Sequence, residues 1–149
     1  MSKPIRDIEH ELMMLGRYQL VASGAGREGG PLERSAYLLL SRISVQGPMT
    51  IRELSEAFHL DPSTVNRQTA AMLREGLVER AATPDKVARC FRLTDEGRRR
   101  LDEGRDFILG RLEKIFGEWT ADEVAVFGAG LKRFGTSIEQ ISGLPWPRD

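Results

Sequence analysis

Ile5, Ile8, Leu12 and Leu15 recur at steps of 3, 4 and 3, the apolar stripe of an amphipathic helix expected to run to about Ala22. Ser23–Pro31, with Gly24, Gly26, Gly29 and Gly30, breaks that pattern. From Leu32 to Gln46 the apolar positions Ala36, Leu39, Leu40, Ile43 and Val45 predict a second, more fully buried helix, stopped by Gly47 and Pro48. Thr50 followed three residues later by Glu53 is a capping box, and Leu54, Ala57 and Phe58 give the helix it opens a buried side. Only Phe58–Leu60 separates that helix from the next, for which Asp61 is the N-cap and Pro62 the first helical residue. This next helix runs to about Glu75 and ends at Gly76. Leu77–Ala81 and Ala88–Leu93 read as short strands around a turn at Thr83, Pro84 and Asp85. Thr94, Asp95 and Glu96 look like a helix start, with acids in the first turn. Two helices close the chain, roughly Asp95–Gly117 and Ala121–Ile141, the second opened by a capping box from Thr120 to Glu123. In that last helix Val124, Phe127, Leu131, Phe134, Ile138 and Ile141 alternate steps of 3 and 4, a seven-residue repeat that reads as a helix–helix seam.

Composition narrows the class. With 149 residues, 40% of them hydrophobic, the chain is about one domain's worth of sequence and can bury a core. Its longest stretches without Asp, Glu, Lys or Arg are nine residues, Tyr18–Gly26 and Ile43–Ile51, too short for a bilayer span of about 20. Residues 1–11 carry Lys3, Arg6, Asp7, Glu9 and Glu11 and no apolar signal core, and a lone Cys90 makes no internal disulfide. A cytoplasmic protein without membrane contact is expected. The 22 basic and 22 acidic residues balance, which argues against a polycation but leaves open where the cations sit. Of the basic residues 18 are Arg, whose planar fork suits phosphates and guanine edges.

Helix, short turn, helix and hairpin in that order make a winged helix-turn-helix. The fold expected is mostly α with a small β-hairpin wing, flanked by N- and C-terminal dimerisation helices. Winding the helix after Pro62 at about 100° per residue sets Val65, Thr69, Met72 and Leu73 on one side. Ser63, Thr64, Arg67, Ala70, Ala71 and Arg74 fall on the other, with Asn66 at its margin. That face is hydroxylic at its start, small in the middle, cationic beyond and free of acids until Glu75, unlike an ordinary solvated face in a chain with acids everywhere else. It suits a major groove about 12 Å wide. Lys86, Arg89 and Arg92 on the hairpin and Arg80 on its partner strand add cations; Arg80 and Arg92 have Glu79 and Asp95 as alternative partners.

The combination of Leu60–Arg67 (LDPSTVNR), Leu73–Arg80 (LREGLVER) and Leu93–Gly97 (LTDEG), with Leu54–Glu56 before it, resembles the MarR family of winged-helix repressors. The resemblance implies a bacterial homodimer joined through its terminal helices, bound to a pseudo-palindromic double-stranded DNA operator and often released by a small ligand. It implies an N-terminal dimerisation helix and Gly-rich connector over residues 1–30, a DNA-binding unit over 31–94 and a helical dimerisation region over 95–149. Ser63, Thr64, Asn66 and Arg67 are expected at or near bases, and Arg74, Lys86 and Arg89 at phosphates or the minor groove. One departure stands out. The family's wing usually carries an Arg two residues after its Asp, whereas here Asp85 is followed by Lys86 and Val87, so Lys86 or Arg89 takes that role.

An aromatic or phenolic effector is a further expected partner, with Arg17, Tyr18, Tyr37 and Arg42 as candidate linings. The rival reading is a winged-helix module for protein contacts or ligand sensing without direct operator binding. Gly24, Gly26 and Gly29 match a dinucleotide-loop pattern but follow a helix where that motif needs a strand, so they read as a connector. His10 and His59 lack the spacing of a zinc site, Cys90 reads as a small buried hydrophobe, and Trp119 and Trp146 as packing residues. No catalytic constellation and no cofactor are expected.

Overall fold

A computed structural model describes residues 2–18, 20 and 32–148, with the backbone alone for Lys86 and Val87. The order is α1 (Ile5–Leu15), α2 (Arg34–Gln46), β1 (Met49–Thr50), α3 (Ile51–Phe58), α4 (Pro62–Arg74), β2 (Val78–Thr83), β3 (Lys86–Leu93), α5 (Asp95–Ile115) and α6 (Ala121–Ser142). The fold is mostly helical, a winged helix-turn-helix carrying a small antiparallel sheet in the order β1-β3-β2. The Gly-rich stretch 21–31 and the expected end of the first helix near Ala22 lie outside the described residues.

The first helix ends at Leu15, the last residue of its apolar stripe, short of the expected end near Ala22. At Leu15 the chain tightens into bonds of three-residue reach, Arg17 N–H donating to Met14 O and Tyr18 N–H to Leu15 O. Arg17 also folds back, its Nε donating to Met14 O at 3.0 Å, so the Met14 and Leu15 carbonyls find partners beyond the last helical turn.

α3 and α4 form the helix-turn-helix. The Thr50 capping box is complete: Glu53 N–H donates to Thr50 Oγ1 and Thr50 N–H donates to Glu53 Oε1, both at 3.1 Å. His59 ends α3 in the left-handed region at φ 51°. Asp61 occupies the N-cap position of α4, but its side chain makes no capping hydrogen bond, unlike Thr50. At the far end Gly76, at φ 71°, completes a Schellman motif: Leu77 N–H donates to Met72 O and Gly76 N–H to Leu73 O. Leu77 is thereby part of the helix exit, so β2 begins one residue later than its apolar pattern suggests.

The wing is longer and its turn tighter than expected. Thr83 pairs with Lys86 across Pro84 and Asp85, and a register shift between Ala81 and Thr83 absorbs the irregularity. β1, not anticipated from sequence, pairs Met49 with Phe91 and Thr50 with Cys90, placing β3 at the sheet's centre. Cys90 is fully buried, as its reading as a small hydrophobe required.

The core joins Leu39, Leu40 and Ile43 of α2, Leu54 of α3, Val65 and Met72 of α4, Met49, Leu77, Val78 and Phe91 around the sheet, and Leu101 of α5. α5 is anchored at its start. Thr94 Oγ1 accepts from Gly97 N–H and donates to Gly76 O, while Thr94 N–H donates to Leu77 O. Gly97 lies so close to this junction that a Cβ on it would stand 1.9 Å from Leu77 O. α6 opens with the expected capping box, Thr120 to Glu123, and contributes no residue to the core.

Candidate nucleic-acid interface

Burial divides α4 as the helical winding requires. Val65, Thr69 and Met72 are buried, and Leu73 is half-buried against the core. Thr69 directs its hydroxyl to Val65 O at 2.9 Å, so a polar side chain enters the interior without an unmet hydrogen bond. Ser63, Asn66, Arg67 and Arg74 are exposed, with Ala70 and Ala71 half-buried among them. Asn66 therefore stands fully on the open face. Thr64 is half-buried on the side toward α3, where its backbone N–H donates to Asp61 O. It lines an open groove of about 840 Å³ between α3 and α4, with Arg52, Glu56, His59 and Pro62.

The arginines of this face are left without acids. Among the described residues Arg67, Arg74, Arg80 and Arg89 have no ion pair and no side-chain hydrogen bond. Arg99 on α5 is the contrast: it bonds Glu96 and Glu103, both at 2.6 Å. Those bonds hold the Glu96 carboxyl below the usual carboxylate range and push the Arg99 guanidinium above its ordinary value, the Arg99–Glu96 hydrogen bond being the largest cause of each.

The wing sorts its own cations. Glu79 and Arg92 are direct cross-strand partners, and Arg92 Nε donates to Glu79 Oε1 at 2.7 Å, so Arg92 is paired and lost to the cationic surface. Arg80 sits opposite Phe91, which puts it on the other face of the sheet from Glu79 and Arg92, while Arg89 is exposed in the irregular stretch of β3 between Lys86 and Cys90. Lys86 is the first residue of β3, at the hairpin tip; its side chain lies outside the described residues. Of the sequence-derived candidates, Ser63, Asn66, Arg67 and Arg74 share one exposed helix face, Thr64 borders it, and Lys86 and Arg89 stand on the hairpin.

Arg52 escaped the sequence reading. It is exposed at the start of α3, faces the α3–α4 groove and pairs with Glu56 at 3.0 Å. Its only sequence signal is its place in the first turn after the capping box. Of the candidate effector linings, Tyr37 packs against the core beside Gly104. Arg17 and Tyr18 engage each other, with the guanidinium 5.0 Å from the ring centre, while Arg42 is held by Gln46, Pro145 and Trp146. Among the described residues no group of three His, Cys, Asp or Glu could hold a metal ion, and no helix is long and apolar enough to cross a membrane.

A model of the MarR family matches residues 32–85, which span α2 to the hairpin turn. Over 138 residues the chain is 36% identical to an uncharacterized HTH-type transcriptional regulator, YxaD, of Bacillus subtilis strain 168, covering 92% of this chain and 96% of that protein. The chain belongs to the MarR family. It is a transcriptional regulator of that family. Two solved structures show the same fold. FabT of Streptococcus pneumoniae, in complex with DNA, superposes with a TM-score of 0.62 at 20% identity over 92% of this chain and 94% of that one. PcaV of Streptomyces coelicolor, in complex with its natural ligand, does so with a TM-score of 0.59 at 22% identity over 88% and 92%. The MarR-family model ends at Asp85, before Lys86 and Arg89.

Proposed function

We propose that the chain is a homodimeric, sequence-specific repressor of the cytoplasm that binds a pseudo-palindromic operator and leaves it on meeting a small aromatic or phenolic ligand. The observation that carries this reading is the exposed face of α4, where Ser63, Asn66, Arg67 and Arg74 are presented with no acid to neutralise the two arginines. Such a face suits the major groove, with Ser63, Thr64, Asn66 and Arg67 toward base edges and Arg74 toward phosphate. Lys86 and Arg89 extend it along the backbone or into the minor groove.

In this reading residues 31–94 are the reader and residues 1–30 and 95–149 the dimerisation region. The exposed apolar stripes of α1 (Ile5, Ile8, Leu12) and α6 (Phe127, Leu131, Phe134) support the assignment, because exposed faces of that extent mark interaction surfaces. FabT's complex with DNA and PcaV's with its ligand supply precedents for both partners in the same fold. Release by a ligand requires that it bind the free and DNA-bound conformations unequally.

Selection of bound fragments from a random duplex pool is the test. A two-fold symmetric consensus with half-sites about one helical turn apart is expected. Absence of any enriched sequence, or enrichment of a single unrepeated half-site, would overturn the reading in favour of a module for protein contacts.

A further inference from the structure

α6 ends at Gly143, whose N–H donates to Glu139 O and which turns the chain at φ 70°. The segment 144–148 then runs back onto the helix-turn-helix. Arg42 of α2 donates from Nη1 to Pro145 O at 3.4 Å, and its guanidinium lies 4.9 Å from the centre of the Trp146 indole. On another side Trp146 meets Phe58, the last residue of α3, edge to face at 5.6 Å. Glu139 of α6 secures the segment: it accepts from Trp146 N–H at 3.4 Å and from Arg148. Burial lowers the Arg42 guanidinium from its ordinary value, partly offset by Glu139, as expected for a cation covered by this segment.

The contacts continue inward. Arg42 Nε donates to Gln46 Oε1 at 2.9 Å, and Gln46 Nε2 reaches Glu53 Oε2 at 3.5 Å, in the capping box of α3. Phe58 packs on the core. A line of contacts therefore starts at Glu139 on α6, passes through Trp146, and grips α3 at both its first turn and its last residue. α3 is packed directly on α4. Whatever fixes α3 relative to α6 also fixes α4 relative to α6.

We propose that Trp146 and Arg42 are positioning residues for the operator: the 143–148 segment is a strap that sets the angle between the recognition helix and α6, and so the half-site separation a dimer accepts. This rests on the reading of the chain as a dimeric operator-binding protein. Neither residue need touch DNA. With the strap in place, each α4 has one orientation relative to the two-fold seam and operators of a single spacing are preferred. With it released, the two recognition helices swing and that preference weakens.

The test uses the full chain and duplexes carrying the selected consensus with its half-sites moved apart or together by one or two base pairs. Trp146→Ala is expected to lower affinity for the best spacing roughly five- to tenfold, the scale of a modest coupling between sites. It should also flatten the profile across spacings while the chain sediments as the parent does. Trp146→Phe, which keeps a ring against Phe58 and Arg42, should restore the parent's sharp profile. A Gly-Gly insertion after Gly143 leaves Trp146 intact but slackens its tie to α6, and it should flatten the profile even if Trp146→Ala fails to fold. A parent-like profile in the insertion variant, or in a folded Trp146→Ala, overturns the strap alone. A parent chain that selects no symmetric duplex overturns the functional reading and the strap together.

Discussion

Arg67 and Lys86 are assigned different duties on DNA, and substitution separates them. If Arg67 reads a base, Arg67→Ala should cost about 1–3 kcal/mol on the preferred operator and relax preference at one position, as measured by titration against single-base variants. Lys86→Ala should weaken all duplexes alike and lower the slope of log affinity against log salt by about 1. Gly97 tests the fold at the same scale. Its absent Cβ would stand 1.9 Å from the backbone oxygen of Leu77, so Gly97→Ala forces α5 off the wing. A loss on the order of 1–3 kcal/mol in denaturant unfolding is expected, the range of overpacked sites. The sequence held Gly97 as part of a family pattern, but the reason for it is a long-range approach that no local spacing reveals. Arg92 is similar. Its pairing with Glu79 was one of two open alternatives and depends on hairpin register. Asp61 shows the reverse case: a residue type suited to capping, in the capping position, whose side chain does not cap.

Elements with strong local signals were legible to within a residue or two, because their ends are set by side chains close in sequence. Thr50 with Glu53 and Thr120 with Glu123 form complete capping boxes where the pattern placed them. Thr50→Ala should destabilise the protein by about 0.5–2 kcal/mol in denaturant unfolding, since the Glu53 N–H in the first turn of α3 loses its acceptor. Glu96 gives α5 a pH signature of definite sign. Its carboxyl is held low by Arg99, so its contribution is present above the ordinary carboxylate range and fades as pH falls through the lowered value. In Arg99→Ala that acid-side dependence should shrink, as seen in unfolding curves taken between neutral and acidic pH. β1 was illegible for an opposite reason: two residues carry no periodicity, and they become a strand only because β3, some forty residues later, offers a free edge. α1 ends at Leu15, the last residue of its apolar stripe, short of the expected end near Ala22, and Arg17 bonds backward to Met14 just past that end.

At the scale of the whole molecule, the seven-residue repeat of α6 poses the sharpest question. Phe127, Leu131, Phe134 and Ile138 are 40–53% exposed in the single chain, although their spacing is that of a packed seam. The interior of the winged unit does not need them, since no α6 residue belongs to the core. The described residues leave them exposed, and a second copy of the same helix would cover them with matching geometry. Leu131→Asp puts a charge at the middle of that repeat. The variant should keep the parent's far-ultraviolet dichroism, because the core is untouched, and should sediment at the monomer mass. Its affinity for a symmetric operator should fall toward the level of a single half-site. The salt slope should drop by roughly half, since one recognition helix and one wing release about half the counterions of two. A Leu131→Asp chain that remained dimeric with the parent's operator affinity would move the two-fold axis away from α6, and the reading of the strap at Trp146 would have to be rebuilt around another seam.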